Sequence, residues 1–295
     1  MRRFAFLLGM AAALLLVGQP VRASVISYEG FSLTFPVYNT GTGLSGAWSQ
    51  GGFNAFASNY GASGSSLSYL GLPTSGGSVS GVASLEINGA IRHLAQPLGA
   101  DNTTVYVSVL LQPQGTLNAG ILSGYFGITL NGSLGNDLFI GKPGGGAEGQ
   151  YVVETRGGSG QVSSGVSAVI GHTALLVLKA QFLPGTDLFT LYTNPTPGAP
   201  EPTSGVTKSD LNLGTVSILG IYSTGGFAVD EIRIGTTYAD VVPSPAFAGT
   251  PGHANCHAAS VSALSTTYGG MANAASALGY ATVADLQTAI DNFCK

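Results

Sequence analysis

The sequence predicts an antiparallel β-sandwich followed by a small α-helical unit. Three observations lead to this all-β fold class. Apolar runs of strand length recur between Gly, Asn, Asp and Pro; glycine is abundant, at 45 of 295 residues, while only 8% of the chain is charged; and residues 256–295 change to a helical period. Many short strands without intervening helical patterns are typical of a sandwich or barrel, because antiparallel neighbours need only tight turns between them.

Residues 1–23 are predicted to be a signal peptide. A basic start at Arg2 and Arg3 precedes the apolar run Phe4–Val17, and a cleavage site is expected after Ala23. The alternative is a membrane anchor, but a spanning helix needs ~20 apolar residues and this run is shorter. No later segment is long and apolar enough to span a bilayer. The expected localisation is therefore exported (periplasmic, cell-surface or extracellular), with no membrane span after cleavage.

The charge of the chain argues against nucleic acid as a partner. Residues 1–23 contain three arginines and no acid, so cleavage would change the formal net charge from −4 to −7. There is no basic cluster of the kind that neutralises a phosphate backbone. We therefore predict no nucleic-acid partner.

Residues 24–242 are predicted to form the sandwich. In Val105–Val109 the valines alternate with other residues and share one face of a strand. Turn sequences such as Asn131-Gly132 and Pro184–Asp187 separate the runs. Leu44–Gly81 is richer in Gly, Ser and Asn and is expected to hold long loops. The clearest predicted strands are Val25–Phe35, Thr103–Leu111, Tyr125–Leu130, Asp137–Ile140, Tyr151–Glu154, Ala174–Phe182, Leu188–Tyr192, Val216–Tyr222 and Phe227–Ile234.

The remainder of the chain predicts a linker and a helical domain. Residues 243–255 contain three prolines and are expected to be a linker, and residues 256–295 are expected to be helical. Thr282 with Asp285 three residues later resembles a capping box. The apolar residues Val283, Leu286, Ile290 and Phe293 follow it at the spacing of one helix face. Two earlier helices are predicted, one containing Val261, Leu264 and Tyr268 and a short one over Met271–Leu278.

The two cysteines of the chain, Cys256 and Cys294, bracket this helical unit. Forty residues rarely hold a fold together without a staple, and in an exported chain a pair of cysteines indicates a disulfide. The alternative is a metal site built from His253, Cys256 and His257 with Cys294. The spacing of the first three is too cramped for a usual zinc site. We therefore predict a Cys256–Cys294 disulfide.

Three segments carry a resemblance to a known family. They are "YEGF" at 28–31, "LVLKAQFLPGTDLFTLYTNP" at 176–195 and "VDEIRIGTTYADV" at 229–241. Over about residues 25–242 the chain resembles jelly rolls of the concanavalin A-like lectin/glucanase superfamily, and more narrowly the LamG-like domains of exported bacterial proteins. Many of those relatives are PEP-CTERM proteins, but this chain lacks their Pro-Glu-Pro sorting tail. The resemblance implies two packed antiparallel sheets, one of them often concave, in proteins that bind glycans, cleave them or serve as adhesion modules.

The sequence does not predict an enzyme. Retaining glycosidases need two carboxyl groups about 5–5.5 Å apart. Laminarinase-type members of the superfamily supply them as Glu-x-Asp-x-x-Glu, and none of the six glutamates here begins that pattern. Glu148 and Glu154 could pair only across a turn. No Gly-x-Ser-x-Gly elbow precedes a helical pattern, and the glycines at 141–146 lack the spacing of a phosphate-binding loop.

Asp230 and Glu231 are adjacent acids in an apolar run. In a regular strand Glu231 shares a face with Arg233, which predicts a solvent-side ion pair of little energetic weight. Asp230 shares the apolar face with Ile232 and Ile234, where a carboxylate needs a partner because burying it unpaired is costly.

Glu29 presents the same problem in the first strand, which commonly lies beside the last strand in jelly rolls. Two arrangements remain open. One is a structural Ca²⁺ held by Glu29 and Asp230 together with backbone carbonyl groups. The other is a separate set of backbone N–H donors for each carboxylate. No other cofactor is required.

Glycan binding needs an aromatic surface with nearby polar side chains, and a concave face rich in exposed aromatics would favour it. We predict an exported, non-catalytic module that recognises a glycan at the cell surface or in the extracellular matrix. The alternative is a structural module that contacts another surface protein and has no small ligand, which a face of small Ser, Thr and Gly residues would favour. The aromatic candidates by residue type are Tyr28, Trp48, Tyr60, Tyr125, Tyr151 and Tyr192.

Overall fold

A computed structural model of the chain describes residues 25–32, 40–50, 60–245 and 247–295. The predicted signal peptide, residues 1–23, lies outside the described residues. Within these ranges, fifteen strands form two antiparallel sheets that pack face to face, which confirms the predicted β-sandwich. None of the helices in the described ranges is both long and apolar enough to cross a membrane.

The strands follow one another in chain order as β1 (Val25–Glu29), β2 (Leu44–Gln50), β3 (Tyr60–Ser63), β4 (Ser78–Gly81), β5 (Asn88–Leu98), β6 (Thr103–Pro113), β7 (Phe126–Gly132), β8 (Asp137–Lys142), β9 (Gln150–Thr155), β10 (Ser159–Ser167), β11 (Ala174–Phe182), β12 (Asp187–Thr193), β13 (Val206–Leu211), β14 (Val216–Ser223) and β15 (Phe227–Gly235). The eight-stranded sheet has the order β13-β12-β11-β6-β15-β4-β3, and β1 also pairs with β15. The seven-stranded sheet has the order β10-β9-β8-β7-β14-β5-β2.

The main core lies between the two sheets. Val105, Val107 and Val109 of β6 all point into it, as their alternation predicts, while Tyr106 and Leu110 point to the other face of the same sheet. We call the side of each sheet that faces the other sheet its core face, and the opposite side its outer face. The outer face of the eight-stranded sheet carries a second, smaller apolar cluster.

The prediction of long loops over residues 44–81 is wrong in part, because β2, β3 and β4 lie there. The sequence also gave no clear signal for β5, β10 and β13. No residue of β10 is fully buried, and its two valines that pack against the core, Val162 and Val166, are separated by Ser and Gly, so no continuous apolar alternation forms. Strand β1 ends earlier than predicted, at Glu29.

Four α-helices follow the sandwich: α1 (Tyr238–Val241), α2 (Cys256–Tyr268), α3 (Met271–Ala277) and α4 (Val283–Cys294). The predicted capping box at the start of α4 is confirmed. The Asp285 N–H donates to Oγ1 of Thr282 at 3.1 Å, and the Thr282 N–H donates to Oδ2 of Asp285 at 3.0 Å. Leu286 and Ile290 of α4 are fully buried in the core of this helical unit.

A disulfide joins Cys256 at the start of α2 to Cys294 at the end of α4, with their Cα atoms 5.6 Å apart. This bond confirms the predicted Cys256–Cys294 disulfide. The helical unit also docks on the sandwich through the loop that holds Leu70 and Gly71. The Tyr280 hydroxyl donates to the Leu70 carbonyl oxygen at 2.7 Å, and the Gly71 N–H donates to the Leu278 carbonyl oxygen at 2.8 Å. The boundaries 24–242, 243–255 and 256–295 stay predictions.

Candidate functional site

A cavity of about 830 Å³ lies on the outer face of the seven-stranded sheet. It extends along the direction of strands β7, β8, β9 and β14. Near the start of β7 its lining is apolar, and near the β7–β8 turn it is polar. The apolar end is lined by Ile87, Leu122 and Tyr125, the polar end by Asn136, Asp137 and Arg156, and the centre by Phe139, Glu154, Gln161 and Tyr222.

Strand alternation decides which side chains reach the cavity. Ile128 and Leu130 of β7 belong to the core, so Thr129 between them faces outward. Phe139 of β8 lies opposite Thr129 on one side and opposite Glu154 of β9 on the other. Residues directly opposite each other in a sheet share a face. Thr129, Phe139 and Glu154 therefore form one row on the outer face, and Phe139 and Glu154 of this row line the cavity.

Two glycines on this face make room for aromatic rings. A Cβ atom at Gly220 would lie 2.6 Å from the Tyr222 ring, and one at Gly127 would lie 2.8 Å from the Phe139 ring. Neither ring could keep its place above a residue with a side chain. Tyr125 meets Phe139 edge to face, with the ring centroids 6.1 Å apart. The floor of the cavity is therefore an aromatic layer over a glycine-rich sheet.

Arg156 covers part of this aromatic layer. Its guanidinium carbon lies 3.8 Å from the centroid of the Tyr222 ring, and its Nη1 donates to Oδ2 of Asp137 at 3.2 Å. Stacking on an aromatic ring and pairing with a carboxylate together fix the plane of a guanidinium group. A guanidinium carries five N–H donors, more than one carboxylate can engage. Arg156 can therefore donate hydrogen bonds to a ligand without leaving Asp137.

Glu154 is a buried carboxylate at the centre of the floor. Burial raises its pKa, while a hydrogen bond from Gln161 and the charge of Lys208 oppose that shift. Gln161 donates to Oε2 of Glu154 at 2.6 Å and to the Gly145 carbonyl oxygen at 3.1 Å, and its Oε1 accepts from the Ala147 N–H at 2.8 Å. Gln161 therefore ties the glycine-rich loop between β8 and β9 to the cavity floor.

Of the six aromatic candidates from the sequence, the structure places Tyr125 in the cavity. Trp48, Tyr60 and Tyr151 belong to the core between the sheets. The Tyr28 and Tyr192 hydroxyls donate to carboxylates of the eight-stranded sheet and its loops. Most of the cavity lining carried no recognisable motif in the sequence, including Asp137, Phe139, Arg156, Gln161 and Tyr222, and Glu154 was a candidate for catalysis alone.

The predicted face of Asp230 is wrong, because β15 contains a β-bulge. Asp230 lies opposite Leu110 whereas Arg233 lies opposite Ser108, so one extra residue is inserted between them. Glu231 takes up that residue with a left-handed φ of 52°. Such an insertion reverses the alternation beyond it. Ile232 therefore faces the core, and Asp230 faces the opposite side.

The two carboxylates predicted to share a Ca²⁺ ion, Glu29 and Asp230, consequently lie on opposite faces of the eight-stranded sheet. Glu29 is opposite Ile232 and on the core face, where it accepts from Nε1 of Trp48 at 3.0 Å and from the Phe31 N–H at 2.9 Å. This geometry contradicts a shared cation. In the described ranges, no cluster of three or more His, Cys, Asp or Glu side chains is arranged to hold a metal.

Asp230 follows the alternative arrangement, with backbone donors of its own. Its Oδ1 accepts from the Glu231 N–H at 2.7 Å, and its Oδ2 accepts from the Leu67 N–H at 2.8 Å. Leu67 belongs to the loop between β3 and β4, which covers this outer face. The buried carboxylate therefore fastens that loop to the closing strand.

Glu231 and Arg233 are not a solvent-side pair, because both are buried. Glu231 accepts from the Tyr28 hydroxyl at 2.8 Å and from the Ser75 N–H at 2.7 Å, and Arg233 donates to Glu231 and to the Pro73 carbonyl oxygen. The loop before β4 lies over them, which strand alternation alone does not reveal. The adjacent acids are thus structural, and each holds a different part of this loop.

Asp230 should make stability depend on pH. Burial, and then the neighbouring charge of Glu231, raise its pKa to about 8, against about 3.9 in an unfolded chain. The folded state therefore binds the extra proton, and the stability this provides is complete below about pH 4 and is lost as pH rises through about 8. We expect the free energy of unfolding to fall over that interval, measured by urea titration at several pH values.

Asp230→Asn should remove this part of the pH slope, and Glu86→Gln, at an exposed acid, should leave it unchanged. Below about pH 4, where the parent carboxyl group is protonated, the asparagine should also cost about 1–3 kcal/mol, since its NH₂ group replaces one of the two oxygens that accept from N–H donors. This difference should shrink as pH rises, because the parent protein alone loses stability. A slope that persists in Asp230→Asn would show that another group titrates.

Comparison with known proteins shows that this chain resembles several solved structures in fold alone. No protein-family model matches the sequence, and no curated protein matches it. Among solved structures, the globular domain of T. cruzi calreticulin is 10% identical with a TM-score of 0.47, over 92% of this chain and 97% of that one. An endo-1,3-beta-glucanase from Streptomyces sioyaensis is 10% identical with a TM-score of 0.46, over 74% and 97%. Lectin UEA-II complexed with galactose is 11% identical with a TM-score of 0.36, over 60% and 92%.

Proposed function

We propose that this protein is an exported, non-catalytic binding module that holds a glycan in the cavity on the seven-stranded sheet. The observation that carries this proposal is the pairing of an aromatic floor with a fixed guanidinium. Tyr125 offers a half-buried ring surface, and Arg156 offers oriented N–H donors. Two buried rings hold them in place, since Tyr125 contacts Phe139 and Arg156 stacks on Tyr222. A sugar presents both C–H faces and hydroxyl groups, and sites for such ligands combine apolar walls with a few placed polar groups.

The shape of the cavity supports a linear glycan. The lining runs along the strands from the apolar end at Leu122 and Tyr125 to the polar end at Asn136 and Asp137. An extended chain can lie in such a groove with several units in contact. The Cys256–Cys294 disulfide supports export, because disulfides persist in oxidising compartments.

The structural alternative, a module with no small ligand, would be favoured by a face of small residues. Gly127 and Gly220 do lie on this face, but the rings of Phe139 and Tyr222 occupy the space above them. Glycines also line the rim of the cavity, at 135, 144–146 and 157–158, but a ligand would meet the Tyr125 ring and the Arg156 guanidinium between them. This arrangement favours glycan binding over a plain spacer.

Hydrolysis is the second candidate, supported by one observation: Glu154 is a buried carboxylate with a raised pKa, a property of general acids. Asp137 lies on the neighbouring strand, diagonal to Glu154, which corresponds to roughly 7–8 Å between Cα atoms. Both carboxylates are, however, already engaged, Asp137 by Arg156 and Glu154 by Gln161. We therefore propose binding rather than cleavage.

A glycan array probed with the mature protein should identify a ligand whose affinity depends on Tyr125 and Arg156. We expect Tyr125→Ala and Arg156→Ala each to weaken binding about tenfold or more, since truncating a central contact typically costs over 1 kcal/mol. Calorimetric titration of the best ligand measures this. Leu134→Ala removes an exposed leucine outside the cavity lining and should bind like the parent protein.

Wild-type affinity in both cavity variants, or no glycan bound by the parent protein, would overturn the proposal. Steady release of reducing sugar from a bound glycan, abolished by Glu154→Gln, would make the protein a hydrolase instead.

A further inference from the structure

A left-handed turn forms the wall at the apolar end of the cavity. Leu122, Ser123 and Gly124 have φ angles of 51°, 56° and 63°. The left-handed conformation costs a residue with a side chain roughly 1–2 kcal/mol, so two such residues in succession need support from their surroundings. The turn places Leu122 in the cavity lining with 57% of its surface exposed.

Lys142, the last residue of β8, provides that support. Its side chain is fully buried, and its Nζ donates to the carbonyl oxygen of Ser123 and, at 3.4 Å, to that of Gly124. An ammonium group has three N–H donors and can bridge two carbonyl groups at once. The Thr224 hydroxyl holds the start of the turn, donating to the Ile121 carbonyl oxygen at 2.6 Å.

The same lysine lies next to the opposite wall. The glycine-rich loop between β8 and β9 begins directly after Lys142, and a Cβ atom at Gly144 would lie 2.5 Å from the Leu122 carbonyl oxygen. The turn and the loop are thus in contact at the mouth of the cavity. A movement of the turn would shift both walls.

We propose that Lys142 is a positioning residue for glycan binding: its ammonium group holds the turn Leu122–Gly124 in its left-handed conformation, so that Leu122 forms one wall of the cavity. The binding part of this inference rests on the proposed function. The conformational part concerns the turn alone and can be measured without a ligand.

Lys142 should lose its positive charge within an accessible pH range. Burial lowers its pKa to about 8, and the carboxylate of Glu148, in the loop after β8, opposes that shift. A neutral amine makes weaker hydrogen bonds to carbonyl groups than an ammonium ion does. Tyr125 at the same end of the cavity has its pKa raised by burial to about 12, above this range. Asp230 titrates in the same range but lies on the other sheet. A change between pH 7 and pH 9 therefore reports on Lys142 where it is confined to the turn and absent from Lys142→Met.

Hydrogen exchange of the mature protein tests the role of Lys142 in the turn. In Lys142→Met, we expect the amides of residues 121–125 to exchange tenfold faster or more at pH 7, with the strands of both sheets unchanged. Lys142→Arg keeps the charge and should restore part of the protection. Lys208→Met is the matched control, because Lys208 is also buried and donates to the carbonyl oxygens of Ser159 and Gly160.

Glycan affinity tests the consequence. The parent protein should bind several-fold more weakly at pH 9 than at pH 7. Lys142→Met should bind weakly at both pH values, and Lys142→Arg should show a flat profile. Exchange at 121–125 that is unchanged in Lys142→Met overturns the inference whether or not a glycan binds.

If Lys142→Met fails to fold, Lys142→Gln tests the same contact at pH 7. Its amide keeps a donor group but not the charge, so residues 121–125 should exchange faster than in the parent protein, and unchanged exchange overturns the inference. If no glycan binds the parent protein, the proposed function and the binding role of Lys142 both fail, while exchange still decides its role in the turn.

Discussion

Replacing Glu29 by glutamine is expected to lower the free energy of unfolding by about 3–5 kcal/mol. Glu29 and Arg92 form an ion pair between the two sheets, with their side chains 1% and 2% exposed. Removing one charge leaves the other buried without compensation, which costs far more than the loss of a surface pair. Denaturant titration followed by circular dichroism measures the change.

The ion pair of Asp137 and Arg156 serves as the partly exposed control for the buried pair, because its side chains are 23% and 27% exposed. Asp137→Asn should cost no more than about 1 kcal/mol, because solvent screens such a pair. The double variant Glu29→Gln with Arg92→Met should lose less than the sum of the single variants, since it leaves no buried charge. A loss below about 1 kcal/mol for Glu29→Gln would contradict this view of the core.

Removing the disulfide is expected to unfold the helical unit while the sandwich stays folded. The bond closes a loop with a sequence separation of 38 residues, which corresponds to about 4 kcal/mol in the chain-entropy model. The core of the unit is small, with Leu286 and Ile290 at its centre, and cannot replace that amount. Cys256→Ser with Cys294→Ser should lose helical signal in the far ultraviolet and become sensitive to protease over residues 256–295.

The sandwich itself provides the control for this experiment. Strand signals and protease resistance over residues 60–242 should match those of the parent protein, and reduction of the parent should give the same result as the double serine variant. The Tyr280 and Leu278 contacts to the loop at Leu70 and Gly71 should be lost with the helices. Helices that persist without the bond would show that docking on the sandwich suffices to fold the unit.

Much of the fold could be predicted because the elements have strong local signals. Strand β11 matches its predicted bounds, and the capping box at Thr282 and the cysteine pair were read correctly. In each case the interaction that determines the structure lies within a few residues, or between the two cysteines of the chain. Strand β10 lacks such a signal, because it is at most half-buried and only Val162 and Val166, separated by Ser and Gly, pack against the core.

The sites were harder to predict, because they depend on one extra residue and on distant partners. The bulge at Glu231 reverses the alternation, and this moved Asp230 to the face opposite Glu29. One donor to each of Asp230 and Glu231 is a backbone N–H more than 150 positions earlier in the chain, that of Leu67 for Asp230 and that of Ser75 for Glu231. The cavity likewise combines Tyr125, Arg156 and Tyr222 from three separate strand ends, and no short motif links them.

The position of β15 has a consequence for how the chain folds. This strand lies in the interior of its sheet, between β6 on one side and β4 with β1 on the other. Its partner Tyr28 lies 203 residues before Glu231. Pairings over such separations slow the folding of β proteins, because the entropy of closing a long loop comes before any contact forms.

Until residues 227–235 are available, the facing edges of β4 and β6 have no strand between them. Bare strand edges are where chains pair with one another and aggregate. The sandwich therefore completes late, after Gly235 has been synthesised, and β4 and β6 are the segments at which incomplete chains would associate.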